Sequence, residues 1–186
     1  MDYCEEIARH YERVWLNRGT TRVWELGPEH ELPRDFCVLE FAPTQTRDMW
    51  TYATRCMSHP TDDDAIELHL FSRVQSELHV ELHTVIAHYH RTHTLGLGHT
   101  VNFGRSWMND SKCTHGLISL PYLDGLALEE LTIPEMGKIV RCLWLIPITK
   151  AEVDYKASLG LEALEQRFDE SHFDFLNPDR SCVIDH

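Results

Sequence analysis

The strongest constraint on the fold is an apolar run in the C-terminal third of the chain. Residues 139–148 read IVRCLWLIPI and contain one charged side chain, that of Arg141. A continuous run of this kind, rich in β-branched and aromatic residues, predicts a strand buried on both faces at the centre of a sheet. Thr149 and Glu152 follow with the spacing of a capping box, which predicts that a helix begins directly after the strand.

Shorter patterned segments predict the remaining elements. Short apolar or alternating runs predict strands over residues 36–41, 50–57, 65–71, 101–103 and 116–120. Apolar residues at spacings of three and four predict amphipathic helices over residues 3–17 and 75–93. Residues 126–131 fit either a strand or a helix.

The order of these elements predicts the fold class and the domain organisation. We expect a single layered domain of the α/β (α+β) class over residues 1–176, in which helices cover a mixed, largely antiparallel sheet. The chain turns polar after that point, and residues 177–186 are predicted to form a C-terminal tail on the surface. A chain of 186 residues can bury enough apolar surface to fold without a metal or a disulfide.

The charge balance is strongly acidic. Thirty Asp and Glu residues against seventeen Lys and Arg give a formal net charge of −13. Such a field repels nucleic acid and anionic membranes and attracts a basic protein. Many acidic proteins use their charge only for solubility, so both interpretations stand. Residues 62–64 form one acidic cluster, which is predicted to lie in a solvated turn between strands.

The cysteines indicate a reducing compartment. None of the six is arranged as Cys-x-x-Cys, and Cys37, Cys56 and Cys142 lie in apolar runs, where a free cysteine behaves as a small hydrophobic residue. The first residues lack the basic region and apolar stretch of a signal peptide. No apolar run reaches the ~20 residues that span a bilayer. The cytoplasm is therefore the predicted location.

The thirteen histidines raise the question of a metal site. His79 and His83 are four residues apart on a predicted helix, so both side chains could reach one ion. The segment reads HVELH rather than HExxH, and Glu81 points away from the pair. Together with His90, these residues are predicted to lie on the solvated face of the helix. We expect no metal, and a metal-dependent or histidine-using enzyme is the alternative interpretation.

Two other chemistries are tested by residue spacing. Gly96, Gly98 and Gly104 follow a predicted helix and lead into a strand, whereas a phosphate-binding loop leaves a strand and opens a helix. Cys113 and His115 would share one face of a strand, but no third residue that orients them can be named. The sequence therefore predicts no catalytic residues and no cofactor.

Several ordered segments carry a family resemblance. They read WTYAT at residues 50–54, GHTVNF at 98–103, SKCTHGLI at 111–118, CLWLIPITKAEVDYK at 142–156 and GLEALEQRF at 160–168. Their order and spacing resemble the Suppressor of Fused domain family, in its single-domain bacterial form. The resemblance implies a mixed α/β domain without known catalysis.

The resemblance also implies a binding function. The two-domain animal relative restrains a transcription factor by holding a peptide as an added strand between its halves. This chain is too short to contain the second half, so that site is not transferred to any residue. Single-domain bacterial members imply an immunity protein that neutralises a polymorphic toxin, or a regulatory binding module. A basic toxin would suit the acidic charge. A subunit of a homo-oligomer is a weaker alternative.

The candidate interaction residues lie in and around the loop after the glycines. They are His99, Asn102, Trp107, Asn109, Asp110 and His115. Trp107 stands among polar residues, so it is either an exposed binding anchor or folded back onto the core. His99 and His115 coincide with the family pattern, and they are predicted to satisfy buried backbone groups.

Overall fold

The computed structural model describes residues 2–26, 31–108 and 111–184. The strands are β1 (Thr20–Arg22), β2 (Cys37–Phe41), β3 (Trp50–Arg55), β4 (Ala65–Ser72), β5 (Thr100–Asn102), β6 (Cys113–Ser119), β7 (Glu130–Ile133) and β8 (Lys138–Thr149). The helices are α1 (Tyr3–Trp15), α2 (Glu77–Thr92), α3 (Leu126–Glu129), α4 (Lys150–Leu159) and α5 (Leu161–Ser171). A 3₁₀ turn at Pro134–Met136 joins β7 to β8.

The strands form one mixed sheet with β8 near its centre. Their order is β1-β2-β3-β4-β8-β6-β5, and β7 also pairs with β8. The β4–β8 pair is parallel, and every other described pair is antiparallel. The predicted fold class, a mixed and largely antiparallel sheet covered by helices, is confirmed, as is the central strand.

Helices cover both faces of the sheet. Successive residues of β8 point to opposite faces, so the strand contributes to the core on each side. Leu143 and Leu145 pack in a cluster with Val80 and Ile86 of α2. On the other face, Val140 and Cys142 join the cluster that α1 covers. Trp144, Ile146 and Ile148 continue that face beneath Leu164 and Phe168 of α5. The strand is therefore buried on both faces, as its composition predicts.

The capping box after β8 extends into an ion pair that the sequence did not indicate. Thr149 Oγ1 accepts from Glu152 N at 3.3 Å, and Glu152 Oε2 accepts from Thr149 N at 2.8 Å. Arg180 Nη1 and Nη2 donate to Glu152 Oε1 and Oε2, each at 2.7 Å, and Val183 N donates to Oε1 at 3.0 Å. The Glu152 carboxylate thus accepts hydrogen bonds both from the start of α4 and from the C-terminal segment.

This ion pair changes the expected course of the C-terminal segment. Arg180, Cys182 and Val183 are buried, with 4–6% of their surface exposed. The expectation that residues from 177 onward simply lie on the surface is therefore wrong for these three. They are drawn inward because a buried carboxylate requires a cation and hydrogen-bond donors.

One cysteine prediction is also wrong. Cys4 and Cys56 form a disulfide with their Cα atoms 5.4 Å apart, so Cys56 is not a free hydrophobic residue. Cys37 and Cys142 are free and buried, as predicted. Asp2 caps α1 by accepting from Cys4 N at 2.9 Å, so the disulfide ties the first turn of this helix to the end of β3.

The face of α2 that packs on the sheet differs from the prediction. His79 and His83 are 0% exposed and His90 is 5% exposed, whereas two apolar residues of the same helix, Val85 and Tyr89, are 48% and 39% exposed. The buried imidazoles have hydrogen-bond partners in the interior, which favours this orientation of the helix. For His90, Leu95 N donates to Nδ1 at 3.0 Å, and the Ser58 hydroxyl lies 3.4 Å from Nε2.

Residues 126–131 resolve into two elements. Leu126–Glu129 form one turn of helix, and Glu130–Ile133 form β7 beside the start of β8. The ambiguous pattern therefore marked a change of structure within the segment. β1 was not predicted, because its three residues are too few to show a period.

Candidate protein-binding surface

β5 forms one lateral edge of the sheet. Among the described strands it pairs with β6 alone. His99 O accepts from Ile118 N at 2.9 Å, and Phe103 N donates to Thr114 O at 2.9 Å, so from His99 to Phe103 the odd-numbered residues bond toward β6. Because this direction alternates along a strand, the backbone N–H and C=O groups of Thr100 and Asn102 point away from the sheet.

Three of the predicted residues gather at this edge. His99 and Asn102 are exposed, and Asn102 stands directly opposite His115 in the β5–β6 register. Asn102 Oδ1 accepts from Gly104 N at 2.8 Å. His115 is half-buried, and partial burial and the ammonium of Lys150 lower its pKa. These side chains offer one amide and two imidazoles beside the outward backbone groups.

The predicted role of the two histidines as buried partners of the backbone is wrong. His99 is exposed, and the described hydrogen bond of His115 joins its Nδ1 to the Thr114 hydroxyl at 2.9 Å. β5 and β6 close at this point through their own main-chain bonds, so the backbone does not require imidazole partners.

Trp107 is a core residue, so its interpretation as an exposed anchor is wrong. Its side chain is 4% exposed, and its ring centroid lies 6.0 Å from that of His79. Trp107 N donates to Cys113 O at 2.7 Å, which turns the chain back over the sheet. Asn109 and Asp110 lie outside the described residues.

Two glycines allow the edge to form. Gly98 has φ +79°, in the left-handed region, and its N–H donates to Ile118 O at 2.7 Å, which aligns the start of β5. A Cβ atom at Gly116 would lie 2.8 Å from the Phe103 ring. Because Gly116 has no side chain, the Phe103 ring can pack against its backbone and cover the β5–β6 pair. These two glycines therefore shape a strand edge.

A buried histidine pair lies behind this surface on α2. His83 Nδ1 donates to His79 O at 2.7 Å. The Ser72 hydroxyl donates to Val74 O, so His79 Nε2–H donates to Ser72 Oγ at 3.0 Å. Burial lowers the pKa of His79 to about 3 and that of His83 to about 4. Both rings are therefore neutral and fixed in one tautomer.

The histidine pair does not assemble a metal centre with its described neighbours. Within residues 2–26, 31–108 and 111–184, no three His, Cys, Asp or Glu side chains are placed to hold an ion. The remaining ring nitrogens, His79 Nδ1 and His83 Nε2, are buried and have no described partner. They lie in the packed interior, where they act as core side chains.

This pair should make the fold sensitive to acid. A buried histidine with a lowered pKa stabilises the fold above pH 6.5 and loses that contribution as the pH falls toward its folded pKa. By pH 5 the loss is about 2 kcal/mol for each ring, at 1.36 kcal/mol per pH unit. In His83→Leu, the fall in unfolding free energy between pH 7 and pH 5 should be smaller by that amount, as measured by urea denaturation. An unchanged pH dependence would contradict the burial of a neutral ring.

Glu67 is a buried carboxylate that serves the turn after β3. Thr54 Oγ1 donates to Glu67 Oε2 at 2.6 Å, and Met57 N donates to the same oxygen at 3.1 Å. Ser58 N donates to Oε1 at 3.4 Å. Burial outweighs these bonds and raises the pKa of Glu67 to about 7. Because the side chain is 0% exposed, it holds the turn that carries Cys56 and does not face a ligand.

These features define a class: an α/β domain with an open strand edge that bears exposed polar side chains. The chain belongs to the suppressor of fused family, since the family profile "Suppressor of fused protein (SUFU)" matches residues 33–181. This confirms the family that the ordered motifs indicated. Within the described segments, no helix is both long and apolar enough to cross a bilayer.

Solved structures agree with this assignment. A homolog of suppressor of fused from Neisseria gonorrhoeae is 30% identical with a TM-score of 0.86, over 99% of this chain and 98% of the homolog. The Sufu–Fu complex gives a TM-score of 0.72 at 14% identity, over 98% of this chain and 93% of the matched chain. Drosophila Suppressor of Fused gives 0.69 at 14% identity, with 98% and 51% covered. At 14% identity these last two show the fold alone. No curated protein matches this sequence.

Proposed function

We propose that this chain is a non-catalytic protein-binding domain that holds an extended segment of its partner by strand addition at β5. The observation that carries the proposal is the open edge at Thr100 and Asn102, whose outward backbone groups can continue the sheet. The exposed His99 and the half-buried His115 lie beside that edge and would contact alternate side chains of the added strand. A relative in fold, Sufu, has been solved as a complex with Fu, which supports a binding role.

The proposed partner is a basic protein, and an immunity role against a toxin is the specific form of the proposal. A net charge of −13 favours encounter with a cationic surface such as that of a nuclease toxin. The alternative of a histidine-using enzyme has less support. His79 and His83 are enclosed in the core, and His99 and His115 lie on an open strand edge.

The test is a proline substitution at the strand edge. Asn102→Pro removes the outward N–H while leaving the odd-numbered bonds to β6, and Asn102→Ala is the matched control that keeps it. With a toxin encoded beside this gene as the probe, we expect Asn102→Ala, which loses only the side-chain amide, to bind within about threefold of wild type in calorimetry. Asn102→Pro should bind at least about tenfold more weakly, which corresponds to 1.4 kcal/mol.

Two results would count against this function. If Asn102→Pro binds as wild type does, while a circular dichroism spectrum shows that it is folded, β5 is not the contact. If the neighbouring toxin binds no better than micromolar and stays active in the presence of this protein, the immunity role fails. Light scattering separates self-association through the same edge from partner binding.

A further inference from the structure

A groove of about 490 Å³ opens on the face of the sheet opposite α2. It runs between α5 and the turn after β6. Trp144 and Ile146 of β8 form its floor, and they are 4% and 2% exposed. Phe168 of α5, and Phe173 and Phe175 beyond it, continue the apolar lining. The groove thus presents aromatic surface in a concave form that can take a large side chain.

The opposite wall of the groove exposes apolar side chains on a rigid support. Tyr122 and Leu123 are 57% and 47% exposed. The next residue, Asp124, accepts from Arg47 Nη1 and Nη2 at 2.7 and 3.0 Å. The Arg47 guanidinium in turn lies 4.9 Å from the centre of the Phe71 ring. A turn held by a bidentate ion pair keeps its exposed side chains in place, which reduces the entropy lost on binding.

The rim of the groove is negatively charged. Glu162, Glu165 and Asp169 lie at spacings of three and four along α5, so they share the side of the helix that faces the groove. Ser119 Oγ donates to Glu165 Oε1 at 2.7 Å, which holds this carboxylate at the groove. None of the described lining residues is Lys or Arg. The carboxylates therefore face the groove without a cation in its lining.

We infer that this groove docks a partner segment in which a large apolar side chain is flanked by Lys or Arg residues. The apolar side chain enters between Trp144 and Leu123, and the flanking cations meet the three carboxylates of α5. The acidic rim selects against an acidic peptide, because like charges across a contact cost free energy. This surface lies on the face of the sheet and does not involve β5, so the inference does not depend on the proposed strand addition.

The experiment uses three capped octapeptides as probes. GKKFLKKG carries both required features, GEEFLEEG reverses the charge and GKKSSKKG removes the apolar pair. In ¹⁵N NMR titrations of the full chain at low salt, we expect GKKFLKKG to shift the Trp144 indole N–H and the amides of α5. The other two peptides should shift these resonances at least about tenfold less at equal concentration.

Matched variants locate the binding. Combining Glu162→Gln, Glu165→Gln and Asp169→Asn raises the net charge by three units, from −13 to −10. The control combines Asp63→Asn, Asp64→Asn and Glu135→Gln, which neutralises three exposed acids elsewhere by the same amount. We expect the first set to weaken binding at least about tenfold, and the control by less than about twofold. Leu123→Ser, at an exposed site, is the second variant if the first set does not fold, and it should also weaken binding.

Three outcomes would overturn the inference. Equal weakening in both sets would show attraction to overall charge. Equal binding of GKKSSKKG would show that the apolar floor is not used. Shifts of the same resonances that grow with protein concentration alone would show that a second copy of the chain fills the groove.

Discussion

Replacing Arg180 with Met should lower the free energy of unfolding by about 3–5 kcal/mol, the cost of removing one partner from a buried ion pair. The Arg180 and Glu152 side chains are 5% and 0% exposed. Arg180 also donates to Pro147 O at 3.0 Å, so its removal takes a donor from this carbonyl and leaves the buried Glu152 carboxylate without its cation. Chemical denaturation at pH 7 measures the loss.

The control variants separate this pair from ordinary surface charge. Arg9→Ala removes an exposed cation that pairs with Glu6, and it should change stability by about 1 kcal/mol or less. Adding Glu152→Gln to Arg180→Met removes the stranded charge, and it should recover part of the loss. If Arg180→Met is no more destabilising than Arg9→Ala, the pair is not formed as described.

The difference in unfolding free energy between wild type and Arg180→Met should decrease at low pH. Although burial opposes ionisation, the hydrogen bonds and charge of Arg180 hold the pKa of Glu152 below its ordinary value. A carboxylate with a lowered pKa contributes stability above the unfolded pKa, and it loses that contribution as the pH falls through the folded pKa. The difference between wild type and Arg180→Met should therefore narrow on acidification below about pH 4.5.

Reduction of the Cys4–Cys56 disulfide should lower the free energy of unfolding by about 4 kcal/mol, because the unfolded chain gains conformational entropy when the cross-link is removed. The two cysteines are 52 residues apart, and the closed loop includes α1 from Cys4 onward, β1, β2 and all of β3. Denaturation with and without reductant measures the effect. In Cys4→Ser, stability should match that of the reduced wild type and should not respond to reductant.

A second cysteine variant checks the specificity of this effect. Cys37 is free and buried, so Cys37→Ala should lower stability through lost packing but keep the full response to reductant. Equal stability of the wild type with and without reductant would show that the bond does not constrain the chain in solution.

The parts of the fold that the sequence predicts are those that local pattern encodes. Residues 139–148 predict β8 because an unbroken apolar run can be buried only within a layered core. Thr149 and Glu152 predict the start of α4 because a capping box is formed within four consecutive residues. The glycine at position 98 marks the start of β5, where a left-handed backbone is required. The family followed from the order of such local segments.

The parts that the sequence does not predict depend on contacts between distant residues. On α2, the buried face includes His79 and His83 rather than Val85 and Tyr89. His79 contacts Tyr52 and Ser72, which lie outside the helix, and the spacing of apolar residues within the helix cannot reveal such contacts. The partner of Glu152 lies 28 residues away, at Arg180. At the candidate surface, the pattern located His99, Asn102 and His115 near one another. It could not tell that the tryptophan beside them is buried, because both outcomes suit a Trp in a polar loop.

The parallel pairing of β4 with β8 has a consequence for how the chain folds. Residues 37–72 form a meander of neighbouring antiparallel strands, which can assemble through short-range contacts. Residues 65–69 pair instead with residues 140–144, which follow only after α2, three further strands (β5, β6 and β7), α3 and the 3₁₀ turn. Until β8 arrives, one side of an eight-residue, fully buried strand has unpaired backbone groups. We therefore expect the docking of β8 to be the slow step of folding, and chains in which it has not yet docked to be the ones prone to aggregation.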